Sequence, residues 1–131
     1  MEARSDNRPL VLIVDDDARS ASLLGRLLER DGYATEVTTD GAAALARLTR
    51  SPVPDALITD FYLPHADGLA VGRYARSRRT AMPIFVVTGD PQAVASARDP
   101  LDGPMVVITK PLDYPDLVHR LREAVSLQRA V

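Results

Sequence analysis

The sequence has no cysteine and no long apolar run, and each absence excludes a class of protein. Without cysteine, there are no disulfide bonds, thiolate zinc sites or cysteine nucleophiles. No apolar stretch approaches the roughly 18 residues that a membrane-spanning helix needs, and residues 1–9 lack the apolar centre of a signal peptide. The formal net charge of −2 gives no reason to expect a nucleic acid or a membrane surface as partner. We therefore expect a cytoplasmic protein that binds neither.

The composition supports one compact domain. The chain has 131 residues, of which 46% are hydrophobic and 26% charged, an ordinary balance for a globular protein with a real core. We expect the domain to cover residues 10–127, after a short flexible leader at 1–9 and before a frayed tail at 128–131. The start at Met1 favours a natural N-terminus. A stand-alone protein and a piece of a larger regulator or hybrid kinase both remain open.

Short apolar runs alternate with helical patterns along the chain. Four runs are continuous and rich in β-branched residues, which is typical of strands buried on both faces of a parallel sheet. A fifth run alternates, which favours an edge strand. Aspartates stand at suitable positions to cap the intervening helices. Five alternations of strand and helix predict an α/β, doubly wound sheet with five helices on its two faces. The predicted strands are Leu10–Val14, Tyr33–Thr38 (edge), Ala56–Thr59, Ile84–Thr88 and Met105–Thr109.

Acidic residues cluster directly behind the first predicted strand, at Asp15, Asp16 and Asp17. Like charges this close repel one another, so a cation or bound protons are needed to hold them together. Oxygen ligands suit a hard cation such as Mg²⁺. A solvated turn is the alternative for an isolated acidic run, and we assign Asp17 mainly to helix capping.

Other reactive side chains stand at the ends of later strands. Asp60 follows the third strand, Thr88 ends the fourth and Lys110 follows the fifth. Because sites in open α/β sheets form beyond the carboxyl ends of the strands, we expect these side chains to converge with the acidic cluster. A nucleophilic carboxylate, a hydroxyl donor and an ammonium group together form a set suited to phosphoryl transfer.

Five segments with these residues resemble the response-regulator receiver domain, the chemotaxis-regulator-like phospho-acceptor of two-component systems. They occur in the family's order and with family-like spacing from about Leu10 to Val125. The resemblance implies a flavodoxin-like, five-stranded parallel sheet of order 2-1-3-4-5. The segments are Val11–Asp17, Pro54–Asp60, Leu63–Gly68, Val86–Gly89 and Thr109–Leu112.

The resemblance also implies roles for single residues. Asp60 matches the aspartate that accepts the phosphoryl group. Thr88 and Lys110 match the hydroxyl and the ammonium group that bind the phosphoryl oxygens. The Mg²⁺ ligands would be Asp15, Asp16, Asp60 and the backbone carbonyl of Tyr62.

The same resemblance implies how the protein would act. The partner would be a histidine kinase or a phosphotransfer protein. The chain would be a phosphoprotein that catalyses only its own phosphorylation and dephosphorylation, as a monomer or a phosphorylation-dependent homodimer. Output is expected from the face built by the fourth helix, the fifth strand and the fifth helix.

Three positions depart from the family pattern. Val107 stands where the family commonly has an aromatic switch residue, which leaves the output mechanism open. Tyr62, two residues after the phospho-acceptor, is bulky, and Asp90, two residues after Thr88, is acidic. We hypothesise that Tyr62 and Asp90 alter the rate of dephosphorylation, because both flank the path of the attacking water.

Two other functions compete with the receiver interpretation. A receiver-like scaffold would act by contact without phosphorylation, and failure to respond to Mg²⁺ with beryllofluoride would favour it. A phosphohydrolase of the haloacid dehalogenase type would use Asp15 as nucleophile and Asp17 two residues later. Arg19 does not fit that family, however, and its further acidic pair is absent. Replacement of Asp60 by Asn discriminates, because a hydrolase would still be labelled through Asp15.

A cluster of arginines stands on and after the third predicted helix. We expect it to form a solvated face, with a partner-binding patch as the alternative. Its members are Arg73, Arg76, Arg78 and Arg79.

Overall fold

A computed structural model describes residues 7–98 and 100–130 of the chain, and side chains as far as residue 128. Within these residues, strands and helices alternate through five repeats, as the sequence predicts. The elements are β1 Leu10–Val14, α1 Ala18–Arg30, β2 Ala34–Thr38, α2 Gly41–Leu48, β3 Ala56–Asp60, α3 Gly68–Arg78, β4 Ile84–Thr88, α4 Pro91–Ala95, β5 Val106–Thr109 and α5 Tyr114–Ala130.

The five strands form one parallel sheet in the order β2-β1-β3-β4-β5, which confirms the predicted topology. The register aligns the carboxyl ends of the strands. Val14 pairs with Thr38 on one side and with Thr59 on the other. Thr88 pairs with Thr109. The residues that follow these strands therefore meet at one edge of the sheet.

Two apolar clusters cover the two faces of the sheet. Val11 and Ile13 of β1 pack with α1 and α5, whereas Leu12 and Val14 pack with α2 and α3. All residues of β1, β3 and β4 are buried, which confirms that the continuous apolar runs are two-sided strands. The mixed burial of β2 agrees with its predicted position at a sheet edge.

Aspartates begin all five helices. Asp17, Asp40, Asp67 and Asp90 accept hydrogen bonds from backbone N–H groups in the first turns of α1 to α4, and Asp113 accepts one from Asp116 in α5. The caps satisfy N–H groups that have no partner within the helix. Helix α4 has only five residues.

The arginine cluster on and after α3 is partly solvated and also binds backbone carbonyl groups. Arg73 and Arg78 are exposed, as expected for a solvated face, whereas Arg76 and Arg79 are half-buried. Arg78 Nε donates to the carbonyl oxygen of Leu48 at 2.8 Å. Arg79 donates to those of Val53 and Pro54 at 3.2 and 3.1 Å, and Arg76 binds three carbonyl groups near the start of β4 and before β5. The sequence did not predict these hydrogen bonds, because charge alone does not show that nearby loops present unpaired carbonyl groups.

Arg47 has a similar structural role in α2. Its guanidinium group is buried, pairs with Glu36 at 2.5 Å, and donates to the carbonyl oxygens of Arg50 and Pro52. Arg47→Ala should lower the free energy of unfolding by about 2–3 kcal/mol, because those acceptors would lose their donor. Denaturant unfolding measures this effect. The exposed Arg26 offers a matched control, whose replacement by Ala should cost less than about 0.5 kcal/mol.

Arg47→Met separates the loss of hydrogen bonds from the loss of packing, because methionine replaces much of the apolar stem. If either Arg47 variant were as stable as the unmodified chain, Arg47 would not have the structural role described here.

No helix within residues 7–98 and 100–130 is long and apolar enough to cross a membrane. Residues 1–6 of the predicted leader and residue 131 of the predicted tail lie outside the described residues. Helix α5 continues to Ala130, and the domain limits at 10 and 127 stay a prediction.

Candidate functional site

Three carboxylates meet beyond the carboxyl ends of β1 and β3. Asp15, Asp16 and Asp60 each place one carboxylate oxygen within 4.8 Å of the others. Asp60 is only 6% exposed, since it is the last residue of the central strand β3. Asp17 turns away to cap α1, and its N–H donates to Asp15 Oδ1 at 2.9 Å. The acidic run therefore divides into two side chains in the carboxylate cluster and one helix cap.

Lys110 supplies the nearby positive charge. Its Nζ lies 3.3 Å from Asp60 Oδ1, and its side chain is about half exposed. The backbone fixes this position, because Lys110 N–H donates to the Thr88 carbonyl oxygen at 2.9 Å. The following bond to Pro111 is cis. Lys110 is the only lysine in the sequence.

The surroundings of Asp60 favour its protonated form in the absence of a cation. Burial, followed by the hydrogen bond and negative charge of Asp15, raises the pKa of Asp60 to about 7, against the opposing effect of Lys110. Two carboxyl groups that share a small volume cannot both be charged without a compensating charge. The site thus has more acidic groups than Lys110 alone can balance.

The donor set fits a hard divalent cation. All three converging side chains offer oxygen, the site is open at the edge of the sheet, and a cation would relieve the repulsion between the carboxylates. Asp15, Asp16 and Asp60 are the side chains that would hold Mg²⁺. The backbone carbonyl of Tyr62 stays a prediction as the fourth ligand.

Thr88 ends β4 beside these groups and is 2% exposed. Its hydroxyl oxygen accepts a hydrogen bond from Asp90 N–H at 3.0 Å. This hydrogen bond connects the hydroxyl to the turn that follows β4.

The start of α3 fixes the backbone of the acceptor residue. Gly68 N–H donates to the Phe61 carbonyl oxygen at 2.8 Å. A Cβ atom at position 68 would lie well inside van der Waals contact of the Asp60 carbonyl oxygen and 3.1 Å from Phe61 Cα. The sequence alone does not show that this glycine touches the backbone of Asp60.

A cavity of about 350 Å³ lies beside the carboxylates, between α1 and the segment after β5. Asp15, Asp60 and Lys110 line one part, and apolar side chains that include Leu23 and Leu24 line the rest. Leu23 is 52% exposed. The sequence signal for this exposure is that four leucines between Leu23 and Leu28, at i, i+1, i+4 and i+5, cover a face wider than one sheet contact needs.

Tyr62 stands at the surface beside the site. Its side chain is 62% exposed, and its ring packs edge-on against Phe61 with a centroid separation of 4.8 Å. Val107, at the position of the missing aromatic, is partly buried and packs against the core between the sheet, α2 and α3.

Comparison with known proteins agrees with this geometry. Residues 11–122 match the family described as the response regulator receiver domain. The chain is 37% identical over 113 residues to the response regulator MprA of Mycobacterium leprae (strain TN), a match that covers 86% of this chain and 49% of that protein. It is 32% identical over 120 residues to the transcriptional regulatory protein TrcR of Mycobacterium tuberculosis (strain ATCC 25618 / H37Rv), covering 91% of this chain and 46% of that protein.

A solved structure shows the same fold. The CheY-like response regulator receiver domain protein of Methanospirillum hungatei JF-1 superposes with a TM-score of 0.80 at 26% identity, over 95% of this chain and 98% of that one. By contrast, this chain spans about half the length of the curated relatives it matches, 49% for MprA.

Proposed function

Because this chain belongs to the response regulator receiver domain family of two-component systems, we propose that it accepts a phosphoryl group on Asp60 from a histidine kinase or a phosphotransfer protein. The observation that carries the proposal is the position of one buried carboxylate. Asp60 lies 3.3 Å from Lys110 and within the cluster formed with Asp15 and Asp16. This combination supplies a nucleophile and the charges that a phosphoryl group needs.

The reaction is a single displacement at phosphorus. An oxygen of the Asp60 carboxylate attacks the phosphorus atom, the new P–O bond forms, and the bond from phosphorus to the donor's imidazole nitrogen breaks. Bound Mg²⁺ would offset negative charge on the phosphoryl oxygens. Lys110 balances part of the same charge, and Thr88 can donate its hydroxyl hydrogen to a phosphoryl oxygen.

The cavity beside Asp60 suits the approach of a protein donor. The histidine of the donor must reach a carboxylate that is 6% exposed, so the surrounding surfaces have to touch. Exposed Leu23 and the apolar lining between α1 and the segment after β5 offer a contact area next to the acceptor. These features support a partner that docks over α1.

Phosphoryl labelling tests the proposal directly. The chain is incubated with Mg²⁺ and phosphoramidate, and the modified residue is located by mass spectrometry. We expect one phosphoryl group on Asp60 and none in the Asp60→Asn variant. Label on Asp15 in that variant, or no label at all in the unmodified chain, would defeat the proposal. Omission of Mg²⁺ from parallel samples tests the metal requirement.

A receiver-like scaffold without phosphorylation is the second candidate, because Val107 replaces the aromatic that usually reports the phosphorylated state. Failure of Mg²⁺ with beryllofluoride to alter the domain would favour it. Membership of the receiver family argues against the hydrolase with an Asp15 nucleophile.

Tyr62 stands two residues after Asp60, and Asp90 stands two residues after Thr88. We expect the two side chains to set the lifetime of the aspartyl phosphate. Tyr62→Asn should accelerate phosphate loss several-fold, because the smaller side chain would no longer shield the aspartyl phosphate from the attacking water molecule. Timing the decay of labelled protein after removal of the donor measures the rate. Tyr74→Asn on α3 is the control, and equal rates for all three chains would sink the hypothesis.

The remaining aspects of function follow from this role. We propose a cytoplasmic receiver domain over residues 10–127, present as a monomer or as a phosphorylation-dependent homodimer. Comparing the oligomeric state before and after labelling distinguishes these two possibilities.

A further inference from the structure

Strand β5 has Val107 at the position where the family commonly has an aromatic switch residue. Val107 is partly buried against the core. A valine has one side-chain torsion, which is stiff, and it cannot exchange a buried for an exposed position far from the strand. If Asp60 accepts a phosphoryl group, as proposed above, the change must reach the surface by another route.

The hydrogen bonds of Thr88 connect the site to helix α4. Its hydroxyl oxygen accepts from Asp90 N–H at 3.0 Å, and the Asp90 carboxylate in turn accepts from Ala93 N–H at 3.3 Å at the start of α4. Helix α4 has only five residues, so this cap is a large part of its hydrogen bonding. If the Thr88 side chain rotates away from this turn in order to donate to a phosphoryl oxygen, Asp90 N–H would lose its acceptor and the first turn of α4 would loosen.

The segment that follows α4 is fastened to α3 at two points. Leu101 is buried, and its Cδ2 would lie 3.3 Å from a Cβ atom at position 72 of α3. The guanidinium group of Arg76 donates to the carbonyl oxygens of Asp102 at 2.6 Å and of Pro104, while its Nε donates to Met82 at 3.2 Å. A displacement of the connection between α4 and β5 therefore acts on the C-terminal half of α3.

We propose that phosphorylation is transmitted from Thr88 through α4 and the connection before β5 to the C-terminal half of α3, with Arg76 as the link. The responsive surface then includes residues 72–78 and 100–104. It differs from the face of α4, β5 and α5 that the family resemblance leads one to expect. Helix α3 suits this role, because its N-terminal end also contacts the acceptor segment through Gly68 and Phe61.

Hydrogen exchange with and without Mg²⁺ and beryllofluoride tests the route. In the unmodified chain, amides of residues 90–98 and 72–78 should exchange about fivefold faster with beryllofluoride, the factor that follows from losing one ordinary hydrogen bond. The NMR signal of Arg76 Nε–H should shift as well. In Arg76→Gln, the response at α4 should remain and the response at residues 72–78 should disappear.

Arg120→Gln is the matched control, because Arg120 is bonded only to Asp116 among the contacts recorded in the described part of α5. It should retain the full response. Arg76→Lys should behave like Arg76→Gln, because a single ammonium group cannot reproduce three directed hydrogen bonds. Denaturant unfolding of each variant confirms that it is folded.

Two results would overturn the inference: a response confined to β5 and α5, or an α3 response that survives Arg76→Gln. The fluorine signal of bound beryllofluoride, read in the same samples, separates the two levels of the argument. If beryllofluoride does not bind, the proposed function fails. If it binds and α3 does not respond, only the route through Arg76 fails.

Discussion

Gly68→Ala should lower the rate of phosphoryl labelling of Asp60 by about a hundredfold. The added methyl group would collide with the Asp60 carbonyl oxygen, which belongs to the backbone and cannot rotate away. Either β3 or the start of α3 must shift, and misplacing a reacting group by about 1 Å can reduce a rate by that factor. Initial labelling rates with phosphoramidate and Mg²⁺ measure the effect. Stability should fall by about 1–3 kcal/mol, as for other overpacked positions.

Gly89→Ala is the matched control for this prediction. Gly89 follows Thr88 at the same edge of the sheet, and a Cβ atom there would have no neighbour within 4 Å. The same chemical change in open space should leave the labelling rate within about twofold of the original, since no group is displaced. Equal losses in both variants would show that glycine flexibility, and not the close approach of α3 to Asp60, matters at this edge.

The stability of the metal-free chain should fall as the pH rises through about 7, because of Asp60. Its pKa is raised from an ordinary 3.8 to about 7 in the folded state, by burial and by Asp15. When the pKa of an acid is higher in the folded state than in the unfolded state, the bound proton stabilises the fold. This stabilisation is complete at a pH below the unfolded-state pKa and is lost as the pH rises through the folded-state pKa. After allowance for screening at the open edge, we expect a loss of about 2 kcal/mol between pH 5 and pH 8.

Urea unfolding in EDTA at pH 5 and pH 8 measures this loss. Asp60→Asn carries no charge at either pH, so its stability should be higher than that of the unmodified chain at pH 8 and should change less with pH. Mg²⁺ should restore stability to the unmodified chain at pH 8 and not to the variant. The exposed Asp102 provides a control, since Asp102→Asn should retain the pH dependence. Parallel pH profiles for all chains would contradict the prediction.

The sequence predicted the sheet well because buried parallel strands are marked by short continuous apolar runs. The strand ends predicted at Val14 and Thr88 are those observed, and the position of β2 at an edge followed from its alternating pattern. Convergence of Asp15, Asp60 and Lys110 could also be predicted, because parallel strands bring their carboxyl ends to one edge.

Features that depend on the path of loops could not be predicted in this way. The end of α4 at Ala95 could not be predicted, since composition does not show where a short helix loses contact with the core. The hydrogen bonds of the arginines on and after α3 could not be predicted either, since their acceptors are carbonyl groups of Leu48, Val53, Pro54 and other residues distant in sequence. Exposure of Leu23 likewise depends on how α1 rotates against the sheet.

The position of Lys110 gives the molecule a built-in chemical reporter. It is the only lysine in the sequence, it is about half exposed, and it lies 3.3 Å from Asp60. Amine-directed acylation can therefore reach one side chain, apart from the N-terminal amine. The rate at which Lys110 is acylated should change when a phosphoryl group or a cation binds to Asp60. This measurement needs no fluorophore, radioisotope or engineered residue.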